Sequence, residues 1–292
     1  MAKKNRKDRK DAYFIEDKDP IHSLMPYMLP NRTDNEAVLS ETVDMTEVVK
    51  YIEKKNADNP EFKYTFFHFI TAVIGKTIAL RPHMNRYYSG YRLYERKEII
   101  LTFVVKKMFT DNSAETIARV YIDRDSDLSP IEQVHSQLEK IIYSVRKEKK
   151  QDSMTDKMDI LLKLPRWLMK IVIGVMRRMQ ENGTYPLSLQ KDDPYYASVF
   201  ISNLGSIKMN ADYHHIANWG TNSFFVTIGE KKPMLFAKAD GTVEVKDGLK
   251  LGLTIDERIA DGYYFSKSLK LMRKLFENPE LIDEKVMSEI DY

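Results

Sequence analysis

The 292-residue chain contains no cysteine. That absence excludes disulfides, thiolate metal sites and a cysteine nucleophile, and it permits a reducing compartment. A strong charge of either sign is also missing. The 46 basic and 43 acidic residues leave a net charge of only +3, too balanced to indicate a nucleic-acid partner. No glycine-rich phosphate loop is present, and the GYYFSKS run after Asp261 lacks the spacing of one. The six histidines, at 22, 68, 83, 135, 214 and 215, form no HExxH pattern, so no metal is expected. Nothing apolar follows the basic start MAKKNRKDRK, whereas a secretory signal needs a hydrophobic region there. The chain therefore reads as cytoplasmic, with residues 1–18 as a disordered basic tail.

What remains is a mixture of strand and helix patterns without repeats or low-complexity linkers. EAVLSETVDM (36–45) alternates like a strand, and Asp44-x-x-Glu47 resembles a capping box opening the helix TEVVKYIEKK. TFFHFITAVIGKTIAL (65–80) is apolar on nearly every side, as a deeply buried helix is, and Arg81-Pro82 stops it. YYSGYRLY, EIILTFVVKKM and ETIARVYID are rich in β-branched and aromatic residues and read as strands. Ser129-Pro130-Ile131-Glu132 then opens a helix running to about residue 150.

The segment 158–179 is the most hydrophobic, yet Lys163, Arg166, Lys170 and Arg177-Arg178 interrupt it. A membrane span wants ~20 nearly uncharged residues, so spanning is not expected. Packing in the core or between subunits is the preferred reading, with a helix lying on a membrane surface as the alternative. SVFISNL and SFFVTIG follow as strands around His214-His215. A hairpin then turns at Asp240-Gly241, and a helix closes over 263–276. Residues 19–292 are thus expected to form one α/β domain.

The chemistry-bearing stretch is LGLTIDERIADGYYFSKSLKLMRKLFENPELI, residues 251–282. It gathers Asp256, Glu257, Arg258 and Asp261-Gly262 at the end of an apolar strand. Asp256, Arg258, Asp261 and Gly262 match the D-H-R-x-x-D-G signature, and Asn278-Pro279-Glu280-Leu281 matches its ending. SVFISNLGSI with SFFVTIGE, and ETVDMTEVVKYI, resemble further patterns in the same order across 36–285. Together they resemble the dihydrolipoyl acyltransferase catalytic domain of 2-oxo acid dehydrogenase complexes and the related chloramphenicol acetyltransferases.

The resemblance implies a two-layer sandwich, with a large mixed sheet and helices on one side. It implies a homotrimer whose sites lie between subunits, where coenzyme A (as acyl-CoA) and a small thiol or hydroxyl acceptor meet. By resemblance Ser202 steadies the oxyanion, with Asn203 beside it. Asp261 braces the loop through an arginine, and Arg258 and Gly262 support it. The family's catalytic histidine is replaced by Glu257. A carboxylate near pKa ~4.3 lies further from a thiol at ~8.5 than an imidazole at ~6.5 does, a deficit of roughly a hundredfold in rate.

In an extended strand Leu251, Leu253, Ile255 and Glu257 share a face, so an apolar setting that raises the carboxylate is expected. His214 or His215 is the alternative base. Two functions remain open at this point: an acyltransferase using Glu257, or a catalytically silent trimeric relative that binds or scaffolds. The family's lipoyl modules are absent from this chain, which fits a free-standing protein.

Overall fold

A computed structural model describes residues 7–16, 19–106, 115–147 and 162–292. Parts of the expectations above lie outside the described residues: 1–6 and 17–18 of the tail, the end of the strand at 107–108, 148–150, and 158–161.

Within the described residues a seven-stranded mixed sheet forms the frame. Its strands are β2 (Glu36–Asp44), β5 (Ile99–Lys106), β6 (Glu115–Ile122), β7 (Val199–Asn203), β8 (Phe224–Ile228), β9 (Lys232–Ala237) and β10 (Val243–Asp256). The order is β2-β10-β8-β7-β5-β6, with β9 hairpinned onto β10. Most pairs are antiparallel, while β7 runs parallel to both β5 and β8. Alternation puts Val199 and Ile201, Phe224, Val226 and Ile228, and Leu249 to Ile255 on one buried face.

Helices α2 (Thr46–Lys55), α3 (Phe66–Leu80), α4 (Pro130–Lys147) and α7 (Gly262–Glu277), the last following the short α6 (Leu187–Gln190), supply the apolar side chains packed against that face. This is the expected sandwich. The all-apolar reading of 65–80 is explained by α3, which buries every residue from His68 to Ala79. Even Lys76 is buried there, its Nζ donating to the Leu281 carbonyl at 2.6 Å and tying the C-terminal segment to the core.

Several local expectations change. β1 (Ala12–Ile15) forms inside the stretch assigned to the tail and pairs with β4 (Arg92–Arg96), beside β3 (Arg86–Ser89). This second, small sheet is held by Tyr87, Tyr94 and Ala12, with Phe14 packed on them. Asp44 accepts from Thr46 N at 2.8 Å, but Glu47 does not reach back to complete a box, pairing with Lys50 instead. Ser129 Oγ stands a long 3.4 Å from Glu132 N, and the Glu132 carboxylate binds Lys55 and Tyr64.

The largest change concerns 158–179. Its described part forms α5 (Arg166–Glu181), beginning after Pro165 as expected, yet it is no core helix. Its one buried residue is Gln180, and its apolar side chains are exposed or only partly covered. No helix among the described residues is long and apolar enough to cross a membrane.

Candidate functional site

Ser202 and Glu257 both sit at the ends of central strands. Pairing places Ser202 beside Thr227, and Thr227 beside Gly252, five residues before Glu257 on β10. Ideal strand spacings of ~3.3 Å per residue and ~4.8 Å between strands put about 19 Å between the two α-carbons in one chain. They line separate cavities.

Ser202 shares its sheet face with Phe200, Phe225 and Thr227, opposite the helix layer. It lines a mostly apolar cavity of about 430 Å³ with Phe67, His68, Phe103 and Ser206. Asn203 caps the 3-10 turn Leu204–Ile207, its Oδ1 accepting from Ser206 N at 3.3 Å. Gly205 completes this corner, since a Cβ there would stand 2.5 Å from the Gly229 carbonyl. Close approach thus requires glycine in the SNLG motif.

Glu257 does not continue the alternation of β10. The strand ends at Asp256, and Glu257–Ile259 forms a 3-10 turn that leaves the Glu257 side chain exposed. The carboxylate therefore borders a groove of about 470 Å³ with Met25, Leu39, Phe265 and Arg273, and is not embedded among Leu251, Leu253 and Ile255. An imidazole also reaches this groove: His22 of α1 (Pro20–Met28), whose Nδ1 lies 3.8 Å from Asp19.

Within the chain, the arginine pair at this turn is made by Asp256. Asp256 is fully buried and receives Arg258 bidentately, Nε at 2.8 Å and Nη2 at 2.7 Å. Arg32 adds a second guanidinium at 3.6 Å, itself buried and donating to the Ala217 and Gly220 carbonyls. Burial, the largest influence, lowers the Arg32 guanidinium to about 10, and the nearby Asp256 carboxylate opposes that fall. Arg258 also donates to the Leu29 and Pro30 carbonyls, so one carboxylate ties the 29–32 segment and the Glu257 turn together. Asp261, expected to be the brace, is exposed and caps α7 by accepting from Tyr264 N at 2.7 Å. A Cβ on Gly262 meets nothing within 4 Å, so no contact within the chain demands glycine there.

His214 and His215 are exposed on the loop that crosses the sheet's outer face. His214 stacks on Phe225 at 4.1 Å, on the same face as Ser202, and its Nδ1 lies 2.8 Å from the His215 carbonyl. No metal-binding group of three or more His, Cys, Asp or Glu occurs among the described residues.

Two buried polar residues escaped the sequence. Arg32 has no local signal, since its partner lies at the far end of the chain. His68 had one: a single imidazole in an otherwise apolar helix. Its Nδ1 accepts the Thr65 amide at 3.1 Å, which leaves the proton of the neutral ring on Nε2. Burial, and then His135, lowers the ring to about 4. The folded chain therefore binds fewer protons here than the unfolded chain, where the ring titrates near ~6.5. Its contribution is full above that value and declines as pH falls towards 4, on the order of 3 kcal/mol in all. Denaturant melts between pH 7 and 4.5 should show this slope, and His68→Gln should flatten it.

Residues 186–283, which carry both strand ends, match the family 2-oxoacid dehydrogenases acyltransferase (catalytic domain). None of the curated proteins matches the sequence. Among solved structures, the chain is similar to a probable dihydrolipoamide acetyltransferase from Listeria monocytogenes. That match has TM-score 0.57 and 14% identity, over 94% of this chain and 99% of the other. The Azotobacter vinelandii dihydrolipoamide acetyltransferase superposes with TM-score 0.58 and 16% identity, over 92% and 95% of the two chains. A chloramphenicol acetyltransferase gives TM-score 0.56 and 10% identity, over 91% and 99%. The chain therefore has the chloramphenicol-acetyltransferase-like fold, and its resemblance to the acyltransferase catalytic domain falls on the stretch that holds Ser202, Asp256 and Glu257.

Proposed function

We propose that the protein is an acyltransferase whose site forms between neighbouring copies in a homotrimer. Ser202 comes from one copy and the Glu257 turn from the next. The observation that carries this reading is that the two line separate cavities within one chain, where ideal strand geometry expects about 19 Å between them. Each nevertheless lies at a cavity in the segment that matches the catalytic-domain family. The Azotobacter vinelandii enzyme's mechanism was examined through a serine, a histidine and an asparagine. Here the matching roles fall to Ser202, Glu257 and Asp261.

The reaction is transfer of an acyl group from coenzyme A, or a carrier thioester, to a thiol or hydroxyl. Glu257 takes the proton from the attacking group. As the acyl carbonyl becomes tetrahedral, the Ser202 hydroxyl donates to its oxygen. The thiolate of coenzyme A then leaves as the carbonyl reforms, and Glu257 returns the proton to it. The neighbouring subunit supplies the desolvation that Glu257 lacks in the single chain, by closing over its groove.

The exposure of Glu257 favours one other reading, a silent relative that keeps the fold and the trimer. Acyl-CoA consumption against a panel of thiol and hydroxyl acceptors separates the two. Turnover by the native chain, lost in Glu257→Gln, supports the enzyme. No turnover, with activity appearing only in Glu257→His, supports the silent relative.

A further inference from the structure

We propose that α5 docks on an anionic lipid surface. The helix presents Trp167, Ile171 and Val175 at successive turns, and each is more than half exposed. Spacing of four residues puts the three on one stripe. Leu168, Val172, Met176 and Met179 lie on the adjoining face and are only partly covered. At 100° per residue, Arg166, Lys170 and Arg177 fall together on an arc that flanks the Trp167 edge of the stripe, with Lys163 continuing it in the turn before the helix and Arg178 within the stripe between Trp167 and Ile171. Between 162 and 180 the chain has five cations and no carboxylate.

The charge pattern selects the occupant. A second copy of this chain would present mixed charge, since the protein as a whole is nearly balanced. An all-cationic arc beside an apolar stripe suits a surface that is negative everywhere and apolar just beneath. Tryptophan at the stripe's edge suits the boundary between headgroup and acyl chain. The first turn lacks acidic residues and its only ion pair among the described residues is Arg178 with Glu181, at the far end. Lys163, Arg166 and Lys170 are exposed, and Arg177, also exposed, borders the cavity that holds Tyr91 and Arg258. Polybasic segments gain about 1 kcal/mol per cation near an anionic leaflet, or about fivefold in partitioning.

The test uses the full chain with vesicles of phosphatidylcholine alone and with 30% phosphatidylglycerol. Co-sedimentation with the anionic vesicles only, weakened by salt, is expected, together with a blue shift of Trp167 emission that Trp167→Phe removes. Replacing Lys163, Arg166 and Lys170 with glutamine should reduce partitioning roughly a hundredfold. Trp167→Ser with Ile171→Ser should abolish it, with unchanged circular dichroism. Absence of binding, equal binding to neutral vesicles, or a Trp167 shift that appears on self-association without lipid would overturn the proposal. The last result would assign this face to a subunit contact.

Discussion

Asp256→Asn should destabilise the fold by about 3–5 kcal/mol, the cost of removing one partner from a buried charge cluster. Its carboxylate faces two buried guanidiniums, Arg258 and Arg32, and both remain in place when it is neutralised. Both are already crowded by burial, which is what lowers Arg32. A loss of that size is a large share of the ~5–15 kcal/mol that holds a domain folded. Asp261→Asn, by contrast, keeps a residue that caps helices well and should cost well under about 1 kcal/mol. Denaturant midpoints of the two variants measure the difference directly. Equal midpoints would return the bracing role to Asp261.

Ser202→Ala carries the second large effect. Removing one donor to a developing oxyanion costs about 10²–10³ in kcat, because that bond strengthens as charge builds. KM for acyl-CoA should change little, and the fold should hold, since no hydrogen bond within the chain depends on the Ser202 hydroxyl among those seen. Glu257→His should raise turnover, by at most about a hundredfold, since a reference imidazole lies closer to a thiol than a reference carboxylate does. An unchanged kcat in Ser202→Ala would remove the serine from the mechanism.

Much of the frame was legible because its signals are local. The alternation of 36–44, the apolar run of 66–80 and the Asp240-Gly241 turn each fix an element without distant partners. The capping boxes were half right: Asp44 accepts from the Thr46 amide at the helix start, but Glu47 and Glu132 find better partners in Lys50 and in Lys55 with Tyr64. The segment around Trp167 does not pack in the core of the chain, because hydrophobicity alone does not say whether anything lies opposite.

At the turn the motif named, the charges pair within the chain differently from what the spacing suggested: Asp256 takes Arg258, and Asp261 caps a helix. A period of two placed Glu257 with Leu253 and Ile255, but the strand stops one residue earlier, at Asp256. That end shifts Glu257 outward and leaves Asp256 buried to receive Arg258. Arg32 joins the same carboxylate from 224 positions away, a contact no spacing rule reaches. The separation of Ser202 from Glu257 also needs the strand order, which motifs do not contain.

The central claim is that these two residues meet only between chains, and the absence of native cysteine makes it directly measurable. Ser202→Cys combined with Glu257→Cys should be treated with a dithiol-reactive linker too short for the span of about 19 Å set by strand geometry. Covalent dimers and trimers on denaturing gels are expected from the double variant, with neither single variant giving trimers. A product that stays monomeric, while the native protein sediments as a trimer, would contradict the shared site.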